Sequence, residues 1–202
     1  MSPNALILAS ASPTRKSMLE NAGLEFSVIP ARVDEEEIKL SLRAGGAAAE
    51  HIAETLAEHK ACAVSAKNPG KLIIGADQIL ALNDEIFSKP ENIDGARRQI
   101  QKLRGKSHRL ISSVCVAVDG TRTWHHTGSA DLQMREFSDE ALNLYLDMVG
   151  DAVLNSPGGY QVEGPAIQLF RSIKGDFFTI LGLPLLPLLD YLRTRKVLPQ
   201  CL

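Results

Sequence analysis

The first apolar run, "LILA", closes abruptly in the turn formers "SASP". So short an apolar run with such an end predicts a buried strand over residues 5–9. Ser12 then stands as an N-cap with Pro13 at the first helical position, and Gly23 marks the stop of that helix. "EFSVIPARVDEEEI" predicts a second strand running into an acidic loop. The alanine-rich stretch of residues 46–66 predicts the longest helix, closed by "NPG". "KLIIGADQILAL" predicts a β run interrupted at residues 75–77, with "NDEI" turning the chain back. "NIDGARRQIQKLRG" predicts a helix ending at Gly105. Two strands are predicted around the Asp119-Gly120 turn, a strong hairpin signal. Ser138 caps a further helix that ends at Gly150. A glycine-rich loop, "NSPGGYQVEGPAIQLF", leads to a last helix over residues 185–192. Met134, Met148 and the leucines of that helix are expected in the core. Helices interleaved with strands predict an α/β protein, and the hairpin makes its sheet mixed.

Composition refines this picture. The 202 residues are 45% hydrophobic and 23% charged, enough for one sizeable domain over residues 1–202. The net charge of −2 gives no global field for a nucleic-acid polymer, so any anionic ligand must be held by a few local cations. Cys62, Cys115 and Cys201 are odd in number and widely spaced, which argues against a disulfide framework or zinc site and for a reducing compartment. The first ten residues lack a signal-peptide pattern. The greasiest stretch, "ILGLPLLPLLDYL", is short and broken by Pro184 and Pro187, so no membrane span is expected. A soluble, cytoplasmic protein is the expectation.

Several residues could carry chemistry. The turn from the first strand into the first helix presents unpaired N–H groups, a ready anion site, and it also carries Ser10, Ser12, Arg15 and Lys16. A helix dipole disfavours cations at that end, so these bases either bind an anion or point to solvent. Asp77, expected at a sheet's carboxyl edge, could orient a metal, accept a proton from water, or cap its own turn. The acids Asp34–Glu37 either supply oxygens for a hard cation such as Mg²⁺ or form a solvated face. His51 and His59 lack zinc spacing. His125 and His126, adjacent in a strand, must face opposite ways.

In order along the chain, "LILASASPTRKSMLENAG", "DEEE", "IIGADQIL", "SKPEN", "LRGKSH", "SPGGYQVEG" and "LGLPL" resemble the Maf family of nucleoside triphosphate pyrophosphatases, from Leu6 to Leu192. The resemblance implies a mixed, twisted α/β sheet with flanking helices, a deep cleft between two lobes, and commonly a homodimer. It implies hydrolysis of a nucleoside triphosphate to the monophosphate and pyrophosphate, assisted by Mg²⁺ or Mn²⁺. By the same resemblance, Asp77 corresponds to the general base, and Ser10, Ser12 and Arg15 to the phosphate-holding element. Lys60 and Lys89 correspond to cations on the triphosphate, and Glu35, with Asp77, to the metal or water organiser. Arg15, Gln78 and Glu163 fall at positions tied to substrate choice, and Gln78 with Glu163 looks like the 7-methyl-GTP branch rather than the dTTP/UTP branch. Thr14 stands where many relatives carry arginine, and Tyr160 where that branch often has Phe. A nucleotidyltransferase and a non-catalytic nucleotide-binding regulator of septum formation are the rival readings.

Overall fold

The computed structural model describes residues 6–199, and Ala5 and Cys201 lie outside them. Its elements run β1 (Leu6–Leu8), α1 (Pro13–Asn21), β2 (Ser27–Val28), α2 (Glu35–Ala44), α3 (Ala49–Ser65), β3 (Leu72–Leu82), β4 (Glu85–Phe87) and α4 (Ile93–Leu103). They continue with β5 (Ser107–Val118), β6 (Thr121–Met134), α5 (Asp139–Val149), three short 3₁₀ turns between Gly150 and Leu169, β7 (Phe170–Lys174), α6 (Phe177–Ile180) and α7 (Leu185–Thr194). The strands form one mixed sheet in the order β2-β1-β3-β5-β6-β7, with β4 paired to β3. β1 is parallel to both β2 and β3, while β3/β4 and β6/β7 are antiparallel. The expected mixed α/β class is what the chain adopts.

The chain packs as two compact units. One comprises the segment ending at Gln78, Ile111–Gly128 and the segment from Asp176 onward; the other comprises Ile79–Leu110 and Ser129–Gly175. In the first unit, strand alternation sorts the core into two faces. Leu6, Leu8, Leu72, Ile74 and Ala76 pack with Met18 and Leu19 of α1 and Leu185, Leu188 and Leu192 of α7. Ile7, Ala9 and Ile73 face the other way, against Val64 of α3. Covering both faces of a parallel sheet explains why its strands read as unbroken apolar runs. In the second unit, α4 buries Ala96, Ile100 and Leu103, and α5 buries Leu142, Tyr145 and Leu146.

The hairpin is as expected, with Asp119 (φ 51°) and Gly120 (φ 78°) both left-handed at its tip. His125 and His126 do face opposite ways: His125 Nε2 lies 3.3 Å from Glu54, while His126 stacks near Trp124.

Three expectations are corrected, and one strand is unforeseen. The acidic stretch is no loop but the first turn of α2, where Asp34 caps by accepting from Glu37 N (3.0 Å) and Glu35–Glu37 complement the dipole. β3 runs through residues 75–77 without interruption, because Gly75 marks a close helix approach rather than a turn. β7, hidden in a sequence of mixed polarity, closes the sheet edge by pairing with β6. Met148 is 64% exposed and Leu186 55% exposed; both fall off the buried stripes of their helices, whereas Met134 is buried as expected. No helix among the described residues is long and apolar enough to cross a membrane.

Candidate active site

The site in the first unit is built on β3. Side chains of a strand alternate, so Gly75 and Asp77 face α3 while Ala76 and Gln78 face α1 and α6. β3 also outruns its neighbour: β1 pairs only with Leu72, Ile73 and Ile74, which leaves Asp77 beyond the end of β1 although it lies inside its own strand. Asp77, expected at the sheet's carboxyl edge, lies mid-strand in β3 and past the last paired residue of β1 alone.

On the α3 side, a β-carbon at Gly75 would meet Ala57 O at 2.3 Å and Ala61 N at 2.6 Å. Only glycine lets the helix lie this close to the strand. One residue away, Lys60 sits in the buried stripe Ile52–Leu56–Lys60–Val64 and is 7% exposed. A buried ammonium needs partners. Lys60 Nζ finds Asp77 Oδ1 at 2.6 Å and Glu35 Oε1 at 3.0 Å, so one cation joins two carboxylates from β3 and α2. The second oxygen of Asp77, Oδ2, is buried with no hydrogen-bond partner.

The opposite face carries Arg15. Its Nε donates to Gly182 O (2.8 Å), and its Nη1 donates to Ala76 O (3.0 Å) and Ser10 Oγ (3.2 Å). Burial lowers the pKa of this guanidinium, and the charges of Asp77 and Glu35 pull it back up. Ser12 is the N-cap of α1, accepting from Arg15 N (3.3 Å), and Ser10 Oγ accepts from Ser12 N (3.2 Å). The two cations of the first turn therefore part company. Arg15 turns inward and binds backbone carbonyls; Lys16 turns outward to Glu20 (3.5 Å) on the exposed helix face and takes no part in the corner.

Gln78 is tied into the protein itself. Its Nε2 donates towards Ile180 O (2.9 Å), Ser112 Oγ (3.0 Å) and Thr179 O (3.3 Å), and Ser112 Oγ donates to Thr179 O (2.7 Å). The amide thus anchors the segment that carries Gly182, which has φ +99° and whose carbonyl holds Arg15. The donors of Gln78 are spent on the protein. Sequence reasoning missed this role of Ser112, Thr179 and Gly182, because carbonyl acceptors leave no trace in residue type. Lys60 reads from its helix alone as a solvated lysine and became a candidate only through the family resemblance, although a lysine at the centre of an apolar stripe is itself a signal of a buried partner.

The remaining two candidates belong to the second unit, and both Lys89 and Glu163 are exposed. That unit also buries a polar pair absent from the sequence reading. His108 Nε2 lies 2.6 Å from Tyr160 Oη, against the Phe170 ring, while Nδ1 has no partner. Burial lowers the His108 pKa from 6.5 to about 4. The unfolded chain therefore binds a proton near pH 6.5 that the folded chain refuses until about pH 4. Stability from this group is fully present above pH 6.5 and is lost as pH falls through that window, by about 3 kcal/mol. Urea midpoints of wild type and His108→Gln, compared at pH 7 and 4.5, should converge at the lower pH; a constant gap would contradict the assignment.

A hard divalent cation suits the donors that Glu35 and Asp77 offer. Among the described residues no three His, Cys, Asp or Glu side chains cluster closely enough to hold a metal by themselves. Two carboxylates, one with a buried oxygen lacking any partner, match the way Mg²⁺ is bound through one or two carboxylates plus water and substrate phosphate.

A mixed α/β sheet thus carries an acid, a lysine and a half-buried arginine at the end of its first parallel pair. The chain belongs to the Maf family: the model for Maf-like proteins matches residues 5–195. It is 52% identical over 191 residues to a 7-methyl-GTP pyrophosphatase of Brucella abortus, covering 95% of this chain and 96% of that one. It is 54% identical over 187 residues to a nucleoside triphosphate pyrophosphatase of Paramagnetospirillum magneticum, covering 93% and 96%. A nucleoside triphosphate pyrophosphatase of Granulibacter bethesdensis is 48% identical over 193 residues, covering 96% and 98%.

Proposed function

We propose that this chain cleaves the α–β phosphoanhydride bond of a nucleoside triphosphate, releasing the monophosphate and pyrophosphate. It is a hydrolase of the kind its relatives are named for, matched over nearly its whole length. The observation that carries the chemical reading is the unpartnered, buried Oδ2 of Asp77, two residues from Gly75 and next to the carbonyl that fixes Arg15. In this reading that oxygen orients and deprotonates a water. The water oxygen bonds to the α-phosphorus, the bond to the bridging oxygen breaks, and the electron pair leaves with pyrophosphate. Arg15 and Lys60 neutralise the charge that develops. Lys89 keeps the phosphate-binding role implied by the family, and its exposure leaves its ammonium accessible. Ser10 and Ser12 shape the corner by holding Arg15 and the helix start. A divalent cation, Mg²⁺ or Mn²⁺, held through Glu35 and Asp77, would add Lewis-acid neutralisation of phosphate charge.

For the base, 7-methyl-GTP is the favoured substrate. The Brucella relative bears that name, and the resemblance to the family ties Gln78 and Glu163 to the 7-methyl-GTP branch. N7-methylguanine is cationic, and a carboxylate prefers it to a neutral base. Glu163 is exposed, so the desolvation that strengthens this preference has to come from the bound base itself. The gain is then about 1 kcal/mol, roughly five-fold. A pyrophosphate-release screen over 7-methyl-GTP, GTP, CTP, UTP and dTTP should rank 7-methyl-GTP first. Glu163→Gln should shift the ranking towards UTP and dTTP, and an unchanged ranking would contradict the charge argument. Nucleotide binding without any pyrophosphate release would favour the regulator instead.

A further inference from the structure

Lys60 stands where an incoming cation would have to stand. Its ammonium touches Asp77 Oδ1 at 2.6 Å and Glu35 Oε1 at 3.0 Å, the two carboxylates best suited to a metal. A divalent ion approaching those oxygens meets a positive group already between them. The stem of Lys60 lies along the buried stripe of α3 beside Leu56 and Val64. A lysine head is a compact charge on a flexible chain, able to exchange one set of oxygens for another while its stem stays packed. Phosphate oxygens of a nucleotide are such a set.

We infer that Lys60 is a stand-in cation that keeps Glu35 and Asp77 from a divalent metal until nucleotide phosphate takes over its ammonium, so that metal enters with or after the nucleotide and not before it. The inference rests on the hydrolase reading above. In that reading it sets an order of binding: the protein without nucleotide keeps its two acids neutralised internally and holds no metal, and occupation of the site by phosphate is what opens the acids. No bond is made or broken in the exchange; one ion pair is traded for another.

Mn²⁺ titration of the protein without nucleotide, followed by the electron paramagnetic resonance signal of unbound Mn²⁺, tests this. Wild type should bind weakly and Lys60→Met at least ten-fold more tightly; equal or weaker binding by a folded Lys60→Met overturns the inference. Should Lys60→Met fail to fold, thermal melting of wild type decides. An α,β-methylene triphosphate analogue in EDTA should raise the melting temperature, and Mn²⁺ alone should leave it unchanged. A rise with Mn²⁺ alone, with no effect of the analogue in EDTA, overturns the inference. An enzyme that binds Mn²⁺ readily by itself yet releases pyrophosphate loses this ordering and keeps its proposed activity, whereas absence of pyrophosphate release strikes the activity whatever Mn²⁺ does.

Discussion

Asp77→Asn should lower pyrophosphate release by roughly 10²–10⁴-fold while leaving a folded protein. The amide keeps an oxygen at the Oδ1 position, so it can still accept from Lys60, and Lys60 retains Glu35 at 3.0 Å. The buried ammonium is therefore not stranded, which is the circumstance that makes breaking an internal ion pair so costly. A stability loss of about 1–2 kcal/mol is expected, read as a modest fall in the urea midpoint. What disappears is the Oδ2 oxygen, now an NH₂ that can neither take a proton nor bind a cation. A variant that melts like wild type and releases pyrophosphate near the wild-type rate would remove Asp77 from the chemistry.

Gly75→Val should destabilise the protein by about 3 kcal/mol or more. The obstacles to a side chain at this position are Ala57 O at 2.3 Å and Ala61 N at 2.6 Å, both helix backbone. A flexible side chain could swing aside; a helix backbone cannot. α3 would have to move off β3 and take Lys60 with it, away from Asp77. Fold and site therefore fail together, and pyrophosphate release should fall further than the folded fraction alone explains. A midpoint within 0.5 kcal/mol or so of wild type would show that the strand and helix can separate at little cost.

How much of this could be read in the sequence depends on what each residue type reveals. The buried strand at Leu6–Leu8, the cap at Ser12, the hairpin tip at Asp119-Gly120 and the cap at Ser138 each carry a local signal, and each stands where that signal placed it. Asp77, Lys60, Glu35 and Arg15 were candidates, and the structure brings all four into one unit. Long-range geometry was harder to read. Gly75 looked like a break because glycine usually punctuates a strand, while its actual reason is contact with the upstream helix α3 around Ala57 and Ala61. The acids at Glu35–Glu37 looked like a solvated loop because a charge run has no hydrophobic period, although acids after Asp34 are also what a helix start requires. Gln78 was read as a specificity position, and only its partners Thr179 and Ile180, a hundred residues away, show its amide holding the segment behind Arg15.

Hydrolysis of 7-methyl-GTP in H₂¹⁸O, with the products resolved by ³¹P NMR, follows the oxygen that breaks the phosphoanhydride. Attack by an Asp77-held water on the α-phosphorus predicts label in the nucleoside monophosphate and none in pyrophosphate. Label in pyrophosphate, or orthophosphate as the first product, would contradict it.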